Sequence, residues 1–260
     1  MIDLLKAKRA FKAYVENYDI ENPNIALKIS HTYRTMEVAR KIAEDLGLNE
    51  ENIKLAELIG LLHDIGRFEQ IKRYNTFSDR KSIDHGDFGV ELLFEQGLIK
   101  NFIEDRSYDK IIYLAVKNHN KFKIQEGLNE EELLHCKIIR DADKTDIFVV
   151  CVEDTKKEEG DVYNYKEIGK QKISEELIKA CRENKQIDRK YIVTEIDDYI
   201  NNIFFLYDYN FLTGLKIIKE NQYIEKLIEA VNIHEETKKQ FDEILQIANR
   251  YIEKRIEEGC

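Results

Sequence analysis

The sequence predicts an all-α protein, and three observations carry that expectation. Charged residues make up 35% of the 260, Leu, Ile, Lys and Glu dominate, and the only proline is Pro23. No long run of apolar residues alternates with a period of two, the pattern a half-buried strand requires. At this length the chain can bury a substantial core, as one large domain or two smaller ones.

Taken in order, residues 2–18 read as an amphipathic helix with Leu4, Leu5, Ala7, Phe11, Tyr14 and Val15 on one side, broken by Asn22-Pro23-Asn24. A second helix from about Ile25 to Leu46 carries Ile29, Tyr33, Met36, Ile42 and Leu46 at helical spacing, and Gly47 and Asn49 stop it. Glu50 opens a third helix, whose apolar run over residues 55–68 ends in His63-Asp64 and is expected to close at Gly66. Residues 67–84 read as a long polar loop, the most basic stretch of the chain. Asp84-His85-Gly86-Asp87 opens the next helix, which Gly97 ends, and residues 106–119 form another, ending at His119. After a turn bearing Lys121, Lys123 and Gly127, a long helix runs from about Asn129 to Val152. The charged stretch Glu153–Gly160 suggests a boundary, dividing a core of residues 1–155 from a helical extension of residues 156–260 packed on it. Residues 173–185 and 190–256 of that extension read as helices rich in Tyr and Phe, a packing surface.

Composition excludes several functions. A formal charge of −10 disfavours stable binding to nucleic acid or to an anionic membrane, both of which call for a basic surface. No segment approaches the roughly 18 continuous apolar residues of a membrane helix, and the N-terminus lacks a signal-peptide core. Cys136, Cys151, Cys181 and Cys260 are scattered with no CxxC pair, as expected of reduced thiols in a cytoplasmic protein.

His63 and Asp64 are adjacent ligand-type side chains at the mouth of a buried helix, where both can swing toward one ion, and they read as half of a metal site. In chain order the candidates are His31, His63-Asp64, His85, His119 and Asp143, each on a different expected helix. Helical bundles assemble metal sites from such inward-pointing residues. Imidazole suits Fe, Mn, Ni, Co or Zn, and carboxylates bridge and add charge. His135 precedes Asp143 by about 12 Å of helix, too far to share a site, and reads as structural, whereas His234 reads as solvated.

The order His…His-Asp…Asp, with Asp-Ala-Asp-Lys late in the span and His63-Asp64-Ile-Gly-Arg as its strongest element, resembles the HD superfamily of metal-dependent phosphohydrolases over about residues 25–150. The resemblance implies a helical HD bundle in which His31, His63, Asp64 and Asp143 bind one metal. His85 and His119 match the two further histidines of members that hold two metals bridged by the doublet aspartate. Asp141 competes with Asp143 for the ligand position; Ala142-Asp143 fits the family pattern better, leaving Asp141 or Asp146 to orient a ligand. The Gly-Tyr-Pro signature of the branch that cleaves cyclic di-GMP is absent.

The implied cofactor is one or two divalent transition metals, which would bring the pKa of a bridging water from near 15.7 to roughly 7 and give hydroxide at neutral pH. That hydroxide would attack a phosphomonoester or phosphodiester of a nucleotide-like small molecule. Arg67 is the first choice for clamping a phosphate, with Lys72, Arg73, Arg80 and Lys81 in the loop and Lys117 or Lys144 beyond it adding positive potential. Asp87 or Asp141 is the candidate for protonating the leaving group. Two other readings use the same residues: a regulatory HD-type module that binds without turnover, and a di-iron oxygenase. The second half carries no ligand pattern and reads as a cap or a homodimer surface.

Overall fold

A computed structural model describes residues 1–156, 163–231 and 233–259, and among them there are helices and turns but no strand. The chain divides into two compact units, Met1–Asp143 and Lys144–Cys260. The division falls within one helix, and the stretch Glu153–Gly160 runs into residues 157–162, which lie outside the described residues. No helix among the described residues is long and apolar enough to cross a membrane.

In the first unit, α1 (Leu4–Val15) starts at Asp3, whose carboxylate accepts from the Lys6 amide. Helix α2 (Pro23–Asp45) begins on Pro23, with Asn22 as its cap, so the expected helix-breaking triplet is a helix start. Helix α3 (Glu50–Leu62) is capped by Asn49 and carries Glu50 and Glu51 in its first turn, where the helix dipole favours them. Helices α2 and α3 approach so closely at Gly60 that a Cβ there would stand 2.7 Å from the Met36 Cα.

The structure corrects the reading of residues 63–84. Helix α3 ends at Leu62, and after His63 and Asp64 the chain re-enters a helix, α4 (Ile65–Tyr74), where a polar loop was expected. Charged Arg67, Glu69, Lys72 and Arg73 dominate its composition, but Ile65, Phe68 and Ile71 share one buried face, and buried Gln70 bonds Asp79, Ser82 and the Ile83 carbonyl. Phe68 packs edge-on against Phe11 and Tyr14, with centroids 5.7 and 6.0 Å away. Gly66 therefore terminates nothing: it sits in the first turn of α4, where a Cβ would lie 2.6 Å from the His85 carbonyl oxygen and 2.9 Å from the Gly89 nitrogen. The true terminator is Asn75, in the left-handed conformation at φ 50°.

A 3₁₀ turn at Asp79–Lys81 leads to α5 (His85–Val90), capped by Asp84, and then to a π-helical turn at Glu91–Glu95. Helix α6 (Asp109–Asn118) ends just before His119, and α7 (Glu130–Asp154) follows. The apolar core of this unit gathers Phe11, Met36, Leu58, Leu61, Phe68, Ile112 and Ile139 among others.

The second unit has its own core, built from Phe148 and Val152 of α7 and from α8 (Tyr165–Ile168), α9 (Glu175–Arg182), α10 (Glu195–Asn201), α11 (Leu212–Glu220), α12 (Tyr223–Glu229) and α13 (Glu235–Glu258). Its aromatic residues Tyr199, Phe204, Tyr209 and Phe241 are buried there as packing groups. Cys136, Cys151 and Cys181 are free thiols, and Cys260 lies outside the described residues.

Candidate metal centre

Four imidazoles meet inside the first unit. His31 comes from the middle of α2, His63 from the end of α3, His85 from the first residue of α5, and His119 from the end of α6. All four are at most 5% exposed. Successive rings from His31 through His63 and His119 to His85 are edge-on, with centroids 5.2, 5.2 and 4.8 Å apart.

Asp64 lies against this row and shows one oxygen to each end. Its Oδ2 is 3.4 Å from His31 Nε2 and 3.6 Å from His63 Nε2, while its Oδ1 is 3.5 Å from His85 Nε2 and 3.6 Å from His119 Nε2. Asp143 closes the first end, with Oδ1 at 3.1 Å from His31 Nε2 and 3.7 Å from His63 Nε2. Two overlapping ligand groups result, His31-His63-Asp64 and Asp64-His85-His119.

The ring nitrogens test whether a cation fits. His63 Nδ1 donates to the Gly60 carbonyl, His119 Nδ1 to the Val116 carbonyl and His85 Nδ1 to Asp79 Oδ2, each at 2.7 Å. Those donations place the proton on Nδ1 and leave each Nε2 as a bare lone pair. Yet His85 Nε2 and His119 Nε2 face each other at 2.9 Å. Two lone pairs at that distance repel unless a cation lies between them. Ligands bonded at about 2.1 Å stand about 3.0–3.5 Å apart along the edges of an octahedron or tetrahedron, as these atoms do. The donor set, neutral imidazole with carboxylate, suits a divalent metal.

Electrostatics keep the groups in their ligating forms. Burial, aided by the Arg67 charge, pushes His85 down to about 3, so the ring is neutral at pH 7. Burial pulls Asp64 upward, but the Lys28 ammonium acts against it, and the carboxyl is held well below its ordinary range.

Three contributors escaped the sequence reading. Lys28, one turn before His31 on α2, puts Nζ 2.7 Å from Asp64 Oδ2. The signal was its i−3 spacing from His31, but a single lysine on a helix of mixed charge does not stand out. Asp79 anchors His85 and also accepts from Arg67 Nη1 at 2.9 Å and from Gln70 Nε2 at 3.0 Å. Arg140, 3% exposed, caps the end of α6 through Nη1 bonds to the carbonyls of Asn118 and His119, at 2.9 and 3.3 Å, and to that of Lys121.

The other expected site residues are distributed unevenly. Arg67 reaches the centre, its Nε 3.7 Å from Asp64 Oδ1, while its Nη1 is held by Gln70, the Phe77 carbonyl and Asp79. Arg73 is exposed, pairs with Glu69 at 2.7 Å and lies over the Phe88 ring. Arg80, Lys81 and Lys72 are exposed. Lys144 belongs to the second unit, where its ammonium donates to Asp208. Asp141 is fully buried on α7, and exposed Asp87 pairs with Lys121 at 2.7 Å. His135 is buried and bonded to Asn52, and His234 is exposed, as expected.

Residues 29–147 match the family model of the HD domain. No curated protein and no solved structure matches the chain. The matched span holds His31, His63-Asp64 and Asp143 in the family order, on helices that bring them within coordination distance of one another. Residues 29–147, a little under half of the chain, thus carry the sequence match and the buried His/Asp cluster of an HD domain.

Proposed function

We propose that the chain is a metal-dependent phosphohydrolase with a binuclear centre, acting on a phosphomonoester or phosphodiester of a nucleotide-like small molecule. One observation carries the reading: Asp64 divides its two oxygens between two pairs of buried imidazoles whose Nε2 lone pairs converge. His31, His63, Asp143 and Asp64 Oδ2 would hold one ion, and His85, His119 and Asp64 Oδ1 the other. Bound divalent ions supply Lewis acidity there, acidifying water and drawing charge from phosphoryl oxygens.

The protein groups divide the remaining work. The Gly60 and Val116 carbonyls and Asp79 keep the imidazole protons away from the centre. Arg67, fixed at Nη1 by three acceptors, has Nε buried without a hydrogen-bond partner and directed along the Asp64 edge, a donor position suited to an anion. Arg73, Arg80 and Lys81 add positive potential on the segment that follows. Asp141, two residues from Asp143 on α7 and buried, is assigned an orienting role beside the centre.

Elemental analysis of purified protein tests the metal count, and a panel of nucleoside monophosphates and bis(p-nitrophenyl) phosphate tests the chemistry with Mn, Fe, Co, Ni or Zn added. The expected result is about two metals per chain and metal-dependent hydrolysis lost in His63→Ala and Asp64→Ala. Hydrolysis that survives both substitutions would overturn the proposal. Metal-free protein that still binds a nucleotide tightly would favour a regulatory module.

A further inference from the structure

We propose that Lys28 is a substrate-binding residue of this centre, holding a phosphoryl oxygen beside Asp64; the inference rests on the phosphohydrolase reading. Lys28 lies on α2 one turn before His31, so the helix that delivers a metal ligand delivers the lysine to the same place. Its Nζ donates to Asp64 Oδ2 at 2.7 Å and stands 5.4 Å from the Phe77 ring centroid. The Arg67 guanidinium stands 5.5 Å from the same ring. One aromatic face-bearing residue thus gathers two cations, Lys28 on the Oδ2 side of Asp64 and Arg67 on the Oδ1 side.

The simpler account makes Lys28 a counter-ion for a buried carboxylate. Charge arithmetic argues against that being its whole role. Asp64 already faces four imidazoles, and with divalent ions bound its single negative charge is shared among cations on both oxygens. An ammonium at 2.7 Å is then in surplus, and repulsion would expel it unless an anion sits with it. Lysine has three N–H donors, of which Asp64 takes one. Its side chain is 17% exposed against 3% for Asp64, so the lysine, unlike the carboxylate it holds, is partly open to solvent, the direction from which a substrate comes.

The neighbouring cations are less available. Arg73 is engaged by Glu69, and Lys121 bridges Asp84 and Asp87 at 2.7 Å each. Arg67 is pinned through Nη1. Lys28 combines a contact to a ligand carboxylate, partial exposure and uncommitted donors. A lysine binds oxyanions as a point charge, which suits a tetrahedral phosphoryl group without demanding one orientation.

The test uses metal-loaded full-length protein with inorganic phosphate as probe. Lys28→Gln should keep the metal content of the wild type while its phosphate dissociation constant, measured by calorimetry, rises about tenfold or more. Lys28→Arg should recover most of that loss. In the wild type, phosphate should slow acetylation of Lys28 by a soluble succinimidyl ester, read by peptide mass spectrometry, which needs no variant to fold. Unchanged phosphate affinity in Lys28→Gln, or unprotected Lys28, overturns the assignment and leaves the phosphohydrolase reading standing. Loss of metal from Lys28→Gln makes the residue a clamp for Asp64 and overturns it too. Wild-type protein that neither binds phosphate nor hydrolyses any ester overturns both.

Discussion

His85 Nδ1 donates to Asp79 Oδ2 at 2.7 Å, so a carboxylate from the turn between α4 and α5 fixes which nitrogen of His85 faces the centre. His63 and His119 take the same service from backbone carbonyls of their own helices, which no side-chain substitution removes. Asp79 is the replaceable anchor. Asp79→Ala should weaken metal binding at the His85–His119 end by about 10- to 100-fold, with the His31–His63 end retained. A metal titration followed by elemental analysis should show one tight ion and one that dialyses away.

Gly66 is required by close approach rather than by backbone conformation. A Cβ at this position would meet backbone atoms, His85 O at 2.6 Å and Gly89 N at 2.9 Å, which cannot swing aside as a side chain can. Gly66→Ala should therefore push α5 away from α4 and cost about 1–3 kcal/mol. Urea denaturation measures the stability, and a weakened second metal would show that the shift reaches His85.

His135 links stability to pH. Its Nε2–H donates to Asn52 Oδ1 at 3.0 Å, while Nδ1 is buried without a hydrogen-bond partner, and burial pushes the ring down to about 4. Unfolded, the ring takes up a proton near pH 6.5. Between about pH 6.5 and 4 the unfolded chain therefore binds a proton that the folded protein refuses, and stability falls as pH falls. His135→Gln lacks this liability. In EDTA, the stability gap between wild type and variant should narrow by about 2 kcal/mol from pH 7 to pH 5; a constant gap in denaturation curves would contradict it.

Asp197 plays the corresponding structural part in the second unit. It is fully buried and accepts from Ser174 N at 2.8 Å, Ser174 Oγ at 2.6 Å, Thr194 N at 3.1 Å and Val193 N at 3.2 Å. Asp197→Ala strands these donors and removes half of a capping box, at about 2–4 kcal/mol. Burial opposes ionisation, but the Ser174 and Thr194 bonds win and hold the carboxyl below its ordinary range. Its contribution is present above about pH 4 and lost as pH falls below it, so the variant's deficit should shrink in acid melts.

The helix start at Asp84 was legible because its signal is local, the side chain accepting from the Asp87 amide three residues on. Asn22 and Asn49 cap just as locally, but the same residue types also end helices, and they were read as a break and a stop. Helix α4 was illegible for the converse reason: its charged residues and Gly66 imitate a loop, and Phe11, Tyr14 and Tyr18, fifty or more residues earlier, supply aromatic surface against Phe68. The same holds for Gly66 itself, whose need depends on a helix about twenty residues away.

The sequence by itself determined the helical class and the chain order of the ligand-type residues, because periodicity, caps and residue chemistry are written in neighbouring positions. Only the tertiary structure decided how Asp64 divides its oxygens, that Asp143 Oδ1 stands 3.1 Å from His31 Nε2, and that Lys28 and Asp79 reach the cluster. Those facts depend on distances between segments far apart in the chain, and packing alone sets such distances.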